Sequence, residues 1–293
     1  MNGRALARLG VTLVALALVV WALGAAEIGA ALRGVAPGWA ALAVAALMGQ
    51  IIASALRWRL TAGALGLPVT QRAAVGEYFL SVLGNTLLPG GVLGDVGRAA
   101  RIRHRAGLEA AAHSVVIERL TGQVVLGLAA VAGLVAWLWP APAAWGVLGG
   151  LALGALVAAA ALRGVTGAQA GLMRRFLAAL RRVWMDRHGW RAQAGLSLVI
   201  LACNLAGFWA AAAAVGILLP PGAALMVLPL TLMAMLLPVS VNGWGLREAT
   251  AAALWPLAGA GAASAVAASI IYGIAALLAA LPGLWPLLRP APA

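Results

Sequence analysis

Eight long apolar runs constrain the fold more than any other feature of the sequence. They lie at about 9–26, 38–60, 73–93, 110–139, 144–162, 194–219, 224–243 and 262–288. Several reach the ~20 residues that a helix needs to cross a bilayer. Only 9% of the residues are charged, whereas a soluble domain carries roughly a quarter. The sequence therefore predicts an all-α polytopic membrane protein with a single transmembrane domain over residues 1–293.

Two of these runs are interrupted in the same way. The first interruption is LLPGGVLGDVGR, from Leu87 to Arg98, and the second is LLPVSVNGWGLRE, from Leu236 to Glu248. In each, a glycine follows the proline by five residues and an arginine follows it by nine. Broken helices are tolerated at membrane depth where the freed backbone groups find protein partners or line a polar cavity. The repeated spacing therefore predicts that both segments belong to a site.

Arginine placement predicts the topology, because short cytoplasmic loops carry the excess of positive charge. The run at 73–93 is basic on both flanks, which favours a re-entrant hairpin from the cytoplasm that turns near Gly84-Asn85 or Pro89-Gly90-Gly91. The run at 224–243 is predicted to enter from the other side. On this topology both termini and 17 of the 20 arginines are cytoplasmic, Arg57 among them. A cysteine at position 103 should then react from the cytoplasm and one at position 248 from outside.

The two halves of the chain, 1–140 and 141–293, each contain three crossings and one hairpin in this topology. Because three is odd, the second half must be inverted relative to the first. Inverted repeats place a substrate path at their interface, which suits alternating access. The first crossing, at 9–26, is interpreted as an uncleaved helix, with a cleaved signal peptide as the alternative.

A polar stretch in the second half is predicted to form an amphipathic helix over residues 171–187. Apolar residues recur there at three- and four-residue spacing from Leu172 to Trp184, and arginines occupy the opposite face. Such a helix is suited to lie on the anionic inner leaflet. The alternative is a loop that only fixes the topology.

Charged groups inside the apolar runs are candidate site residues, because such groups usually face a partner or a polar cavity. Glu118 and Arg119 diverge by about 100° on a helix, so they cannot point the same way. Each could pair with the first hairpin or its basic flank, or could line a substrate path. Asp95 and Arg98 can pair with each other if their segment is helical.

The candidate ligand is a phosphate-bearing lipid. A guanidinium group binds phosphate bidentately, and glycine-rich turns expose backbone N–H groups to the same anion. The alternative is that these arginines bind only bulk lipid headgroups. No cofactor or metal is expected, since Cys203 is the single cysteine and the three histidines lack ligand spacing. No GxxxxGK[ST] motif occurs, so ATP would need a partner protein.

Three segments carry a resemblance to a known family: PGGVLGDVGRAARI, IERLTGQVVL and LPVSVNGWGLREAT. They resemble the flippase-like transmembrane domain of bacterial lysylphosphatidylglycerol synthases, the multiple peptide resistance factor family, in a stand-alone form, over about residues 10–288. The resemblance implies movement of lipids, typically aminoacylated phosphatidylglycerol, between the leaflets of the bacterial cytoplasmic membrane. Relatives are also linked to hopanoid localisation and to archaeal lipid-linked glycan assembly, so the resemblance does not identify the headgroup of the lipid.

The motifs and the polar residues in or beside the apolar runs together give the candidate substrate-binding residues. They are Asn85, Pro89, Gly90, Gly91, Gly94, Asp95, Arg98, Glu118, Arg119, Asn242, Gly243, Arg247 and Glu248, and Gly245 also lies on the motif. The chain ends at Ala293 without a soluble aminoacyl-transferring domain, so synthase activity is expected to be absent.

The leading hypothesis is a lipid translocator, not an enzyme, that handles an anionic or phosphate-linked headgroup. One alternative is a membrane enzyme acting on lipid-linked sugars, with Asp95 or Glu118 as acid or base. Another is a scaffold for lipid-modifying enzymes. The expected partners are membrane lipids, with a lipid-modifying enzyme as an open option and no nucleic acid. The sequence leaves the headgroup, the coupling ion and the oligomeric state undetermined.

Overall fold

All the regular secondary structure that the structure describes is helical. The computed structural model describes residues 24–88, 91–104, 107–163, 166–185, 189–236, 240 and 242–288, with isolated positions between 10 and 21. The helices of these residues are α1 Ala25–Arg33, α2 Pro37–Ala64, α3 Gln71–Leu87, α4 Leu93–Ile102, α5 Gly107–Leu138, α6 Pro142–Arg163, α7 Gly167–Met185, α8 Gly189–Ala214, α9 Pro221–Met233, α10 Leu246–Leu254 and α11 Ala262–Ala280. Short 3-10 segments follow α9, α10 and α11 at Ala234–Leu236, Trp255–Ala258 and Leu281–Leu288. The all-α prediction is confirmed for the described residues.

Four segments of the described chain are long and apolar enough to cross a membrane. They are Pro37–Ala64, Gly107–Leu138, Gly189–Ala214 and Ala262–Pro286. Each coincides with a predicted apolar run, and α6 covers the run predicted at 144–162. The run predicted at 9–26 falls largely outside the described residues. The multi-pass membrane character of the protein is therefore confirmed.

Helices α3 and α4 form an antiparallel pair, which we call the first hairpin. Helix α3 ends at Leu87 and α4 begins at Leu93, so the chain turns at the second of the two predicted positions, and Pro89 and Gly90 lie outside the described residues. A Cβ atom on Gly94 would overlap the backbone of α3 and would lie only 2.9 Å from Oδ1 of Asn85. Only glycine lets the two arms approach this closely.

Helices α9 and α10 form the second hairpin, again with antiparallel arms. The indole N–H of Trp255, just beyond α10, donates to Thr231 of α9 at 3.0 Å. Asn242, before α10, has a left-handed backbone (φ 48°). A Cβ atom on Gly91 would lie 4.0 Å from the backbone nitrogen of Asn242. The loops of the two hairpins therefore approach each other.

The helices that precede the two hairpins end in the same way. Helices α2 and α8 each close with a left-handed glycine, Gly66 (φ 79°) or Gly216 (φ 83°), 150 residues apart. In α2 the N–H groups of Leu65 and Leu67 donate to the carbonyl of Ala62, and that of Gly66 donates to the carbonyl of Gly63. In α8 the residues 150 positions later form the same three hydrogen bonds, and all six are 2.9–3.1 Å long. This is the hydrogen-bond pattern of a Schellman-type cap. The repeat seen in the two motifs thus extends to the backbone of the preceding helices.

The last helix of each half packs against the hairpin of the other half. A Cβ atom on Gly133 of α5 would overlap the carbonyl oxygen of Leu225 in α9. Similarly, a Cβ atom on Gly283, beyond α11, would lie 2.5 Å from the carbonyl oxygen of Phe79 in α3. Helices α2 and α8 pack along each other between these two contacts. The two halves therefore share one core.

Helix α7 covers most of the predicted amphipathic segment, ending at Met185. Ala179 and Val183 are buried against Ile117 of α5, with Phe176 partly buried beside them. Part of the apolar face therefore packs on protein and not on lipid. Leu180 and Trp184 are partly buried against the same cluster. Three other apolar side chains and the four arginines are exposed: Leu172, Leu177, Met185, Arg174, Arg175, Arg181 and Arg182.

Candidate functional site

A buried cluster of charged groups lies behind the first hairpin loop, and we call it the first centre. It draws residues from four helices, which are Arg57 of α2, Tyr78, Ser81 and Asn85 of α3, Asp95 and Arg98 of α4, and Glu118 and Arg119 of α5. Arg98 is 0% and Glu118 is 1% exposed. Such groups persist away from water only where partners compensate for their lost hydration.

Asp95 anchors the cluster to the hairpin. Its Oδ1 accepts from the Ser81 hydroxyl at 2.8 Å and from Nη2 of Arg98 at 2.7 Å. Its Oδ2 accepts from the Asn85 amide at 2.9 Å and from Nε of Arg119 at 2.7 Å. The predicted pairing of Asp95 with Arg98 is confirmed.

Asn85 also holds the two arms of the first hairpin in register. Its Oδ1 accepts from the backbone N–H of Gly94 at 2.8 Å and from that of Asp95 at 3.3 Å. These are backbone donors at the start of α4, which have no partner within the helix. A single side chain of α3 therefore caps α4 and orients Asp95.

The guanidinium group of Arg98 lies between two aromatic rings. Its Cζ is 4.5 Å from the ring centre of Trp58 on one side and 4.5 Å from that of Tyr78 on the other. Its Nη2 is also 3.6 Å from Oε2 of Glu118. Nε and Nη1 of Arg98 are buried without a hydrogen-bond partner. The group is held firmly through its faces, while two of its three nitrogens donate no hydrogen bond.

Glu118 joins α5 to α2 and α3. Its Oε1 accepts from Nη2 of Arg57 at 2.8 Å and from the Tyr78 hydroxyl at 3.0 Å. Arg57 also donates to the Glu118 carbonyl at 3.1 Å and to Ser197 of α8 at 3.0 Å. Oε2 of Glu118 is buried and accepts no hydrogen bond.

The neighbouring residues Glu118 and Arg119 point in different directions, as predicted. Arg119 turns to Asp95, whereas Glu118 turns to Arg57 and Tyr78. The side chain of Arg119 is 43% exposed and that of Glu118 is 1% exposed. Both find partners on the first hairpin, which confirms the prediction that Glu118 and Arg119 each pair with that hairpin.

Arg57 was counted from the sequence among the arginines of the cytoplasmic flanks and was not included in the candidate site. Arg57 lies inside α2 and is 2% exposed. The signal was available, because Arg57 falls within the apolar run at 38–60, just as Glu118 falls within its own run. Four further residues of the centre were not predicted, because they carry no sequence signal beyond being polar or aromatic in an apolar run: Trp58, Tyr78, Ser81 and Ser197.

A second buried arginine lies behind the loop of the second hairpin. This second centre consists of Arg247 and Glu248 of α10, Ser269 and Tyr272 of α11, and Trp244. Nη2 of Arg247 donates to Oε1 of Glu248 at 2.6 Å, and its Nε donates to Ser269 at 2.7 Å. Oε2 of Glu248 accepts from the backbone N–H of Gly245 at 2.6 Å.

The two centres share a sequence spacing and a glycine contact. Arg98 and Arg247 each stand nine residues after the motif proline. A glycine on the following long helix lies against an arginine in both. A Cβ atom on Gly122 would be 3.1 Å from Nη2 of Arg57, and one on Gly273 would be 2.6 Å from Nη2 of Arg247.

Arg98 and Arg247, the candidate ligands for a lipid headgroup, are shielded from solvent in this conformation. The two residues are 0% and 1% exposed. Each is paired with a carboxylate of its own helix and covered by aromatic rings, so neither depends on water for its partners. The conformation is occluded at both centres.

The remaining candidates lie around the two loops. Gly91 and Asn242 stand where the loops meet, and Gly94 provides the close approach within the first hairpin. Gly243 has φ 79°, and a Cβ atom there would lie 2.6 Å from Cγ of Met235. These residues shape the backbone of the site. The candidates Pro89 and Gly90 fall outside the described residues.

Together these features define a polytopic helical membrane protein with two broken hairpins and a buried arginine centre behind each. The chain matches the sequence profile of the lysylphosphatidylglycerol synthase TM region over residues 5–283. It therefore belongs to the lysylphosphatidylglycerol synthase transmembrane family, and the resemblance drawn from the motifs is confirmed. A comparison with curated proteins gave no match.

Proposed function

We propose that this protein moves a lipid with an anionic or phosphate-bearing headgroup between the leaflets of the bacterial cytoplasmic membrane. The observation that carries the proposal is the close approach of the two hairpin loops, with a buried arginine on the arm that follows each loop. Broken helical segments that meet at the interface of two repeats are typical of transporter substrate sites. Membership of a lipid-related membrane family supports the same class of substrate.

The proposed transport cycle alternates access between two inverted halves. Three observations support the inverted relationship: the equivalent caps of α2 and α8, the equivalent positions of the two arginines, and the reciprocal packing of α5 on α9 and of α11 on α3. In this proposal each hairpin is re-entrant, and the first enters from the cytoplasm whereas the second enters from outside. Both termini are then cytoplasmic.

The occluded conformation fits an intermediate of such a cycle. Opening one side would separate a long helix from the hairpin of the other half, at the glycine contacts of Gly133 or Gly283. Small residues let helices pack closely without interlocking side chains. The headgroup would cross between the halves while the acyl chains remain in the bilayer.

A catalytic role for the first-centre carboxylates receives less support. Both oxygens of Asp95 are occupied by donors, among them Arg98 and Arg119. Guanidinium partners favour the ionised form of a carboxylate, so Asp95 is poorly placed to act as a general acid or base. We therefore propose a transporter and not an enzyme.

The proposal is tested with the full chain in liposomes that contain phosphatidylglycerol labelled on an acyl chain. A membrane-impermeant reductant bleaches only the outer leaflet unless the protein returns inner-leaflet lipid to it. We expect complete bleaching with the wild type and strongly slowed bleaching with Arg98→Gln. The matched control is Arg101→Gln, which removes an arginine of the same helix that pairs with Glu77 at the surface. Bleaching limited to the outer leaflet in well-folded wild-type samples, across lipid classes, would contradict the proposal.

A further inference from the structure

Helix α7 carries a basic face that the proposed function does not use. Its 19 residues, Gly167–Met185, contain four arginines and no aspartate or glutamate. All four arginines are exposed: Arg174, Arg175, Arg181 and Arg182. At about 3.6 residues per turn, Arg174, Arg181 and Arg182 project to the side of α7 opposite the one that packs on protein. These guanidinium groups can therefore bind anions from outside the protein.

Exposed apolar side chains border this basic face. Leu172 and Leu177 are 54% and 46% exposed and lie on its two edges, next to the packed side. Met185 lies with Arg181 and Arg182 around a shallow cleft of about 460 Å³. Helices that bind at a membrane interface combine these features, because their apolar side chains enter the headgroup boundary while arginines contact the lipid phosphates. An acidic soluble protein would match the arginines alone.

Short connections hold α7 close to the membrane. Three residues separate α6, which ends at Arg163, from α7, and three separate α7 from α8, which begins at Gly189. Helix α8 is long and apolar enough to cross a membrane, and α6 covers a predicted crossing. A connection of this length reaches at most roughly 14 Å. The basic face of α7 therefore stays close to the lipid headgroups, which favours a lipid surface over a soluble partner.

The packed side of α7 contacts the beginning of α5. Nε of Arg175 is 2.9 Å from Oε1 of Glu109. The rings of Phe176 and His113 meet edge to face, with their centres 5.6 Å apart. Ile117 is buried against the apolar side of α7. Because these α5 residues follow one another at four-residue spacing, α7 supports one face of α5 over more than two turns.

We propose that α7 binds the anionic surface of the cytoplasmic leaflet, and that this contact fixes the part of α5 that carries Glu118. The inference goes beyond the proposed function and takes only the topology from it. The anionic lipids act here as a surface and not as the transported molecule. Ile117 directly precedes Glu118, so loosening of α7 removes packing next to a carboxylate of the first centre. The lipid composition of the leaflet thereby regulates that centre.

The surface contact is tested with the full chain in nanodiscs, whose two leaflets have the same composition. In a Cys203→Ala background, Leu177→Cys carries a fluorophore that reports the polarity around it. We expect its emission to shift to the blue when phosphatidylglycerol or phosphatidylserine replaces part of the phosphatidylcholine, because the edge of α7 moves deeper into the headgroups. The shift should be the same for both lipids and smaller at high salt. No shift, or a shift with only one of the two anionic lipids, would overturn the proposal.

Two double variants of equal charge locate the contact. Arg181→Gln with Arg182→Gln removes two arginines of the basic face and should reduce the shift about twofold or more. Arg72→Gln with Arg103→Gln removes two exposed arginines outside α7 and should leave the shift unchanged. Equal reductions would assign the response to the net charge of the protein and overturn the site on α7. If a variant does not fold, the response of the wild type to lipid and salt still decides the proposal.

Soluble polyglutamate distinguishes an acidic protein partner from the lipid surface. Added to the labelled protein in phosphatidylcholine nanodiscs, it should leave the emission unchanged. A shift with polyglutamate and none with anionic lipid would overturn the proposal in favour of an acidic protein.

Hydrogen exchange tests the link between α7 and the first centre. The backbone amides of residues 107–118 should exchange about twofold or more slowly in anionic nanodiscs than in phosphatidylcholine nanodiscs. Arg181→Gln with Arg182→Gln should abolish this difference. An emission shift without a change of exchange in this segment would refute the link to α5. A protein that shows both responses but moves no lipid would refute only the proposed function, whereas a transporter without either response would refute only this inference.

Discussion

The two centres each hold a buried arginine nine residues after a motif proline and surround it differently. Arg98 lies in a cluster that leaves four buried polar atoms without a hydrogen bond, whereas Arg247 pairs with Glu248 and Ser269. Shared sequence spacing therefore does not imply shared surroundings.

The largest expected effect is all-or-none and tests whether the halves are inverted. In a Cys203→Ala background, Arg103→Cys should react with an impermeant thiol reagent only from the cytoplasm, and Leu257→Cys only from outside. Arg103 and Leu257 are both exposed and follow equivalent hairpins. Position 248, suggested by the sequence, is unsuitable because Glu248 is 0% exposed.

Permeabilised membranes supply the control for this labelling, since both cysteines should then react. Reaction of both positions from the same side of sealed membranes would rule out the inverted arrangement. The comparison of the two centres would then lose its basis in symmetry.

The next largest effect is the difference in stability between Arg247→Gln and Arg98→Gln. Arg247→Gln leaves Glu248 as an uncompensated buried charge, at a cost of about 3–5 kcal/mol. Arg98→Gln leaves Asp95 paired with Arg119 and Glu118 paired with Arg57, so its cost is smaller, about 1–3 kcal/mol for lost charged hydrogen bonds. Apparent melting temperatures in one detergent check the order. A lower melting temperature for Arg98→Gln than for Arg247→Gln would show that these remaining pairs do not compensate for the loss of Arg98.

The reciprocal glycine contacts predict a smaller and symmetrical effect. Gly133→Ala and Gly283→Ala each place a Cβ atom against a backbone carbonyl of the opposite hairpin, and overpacking of this kind costs about 1–3 kcal/mol. Gly127→Ala, on the same helix as Gly133, has open space around its Cβ. It should leave the melting temperature unchanged or slightly higher. Equal destabilisation by all three variants would mean that helix propensity, and not packing between the halves, sets the effect.

The smallest effect is expected at the surface of the first hairpin. The pair of Arg101 and Glu77 joins the two arms at 2.6 Å, but its side chains are 39% and 25% exposed. Solvent screens such a pair, so Arg101→Gln should cost about 0–1 kcal/mol. Melting temperatures at low and high salt measure this difference. A loss as large as that of Arg98→Gln would indicate that Arg101 belongs to the site.

Much of the candidate site was predictable because membranes penalise unpaired charge. Glu118, Arg119, Asp95 and Arg98 stood out as charges in or beside apolar runs, and the structure brings them together. Arg57 was missed because an arginine near the end of an apolar run is equally compatible with a cytoplasmic loop. Helix length alone does not distinguish these two placements.

The sequence by itself determined the helical membrane class, the two breaks and their shared spacing, because apolar length, helix-breaking residues and charge act locally along the chain. Tertiary structure decided which groups meet. The partners of Glu118 come from α2, α3 and α4, and the loops of the two hairpins touch although they lie about 150 residues apart in sequence. Such contacts depend on how helices pack in three dimensions, and packing fixes which partners a buried arginine receives.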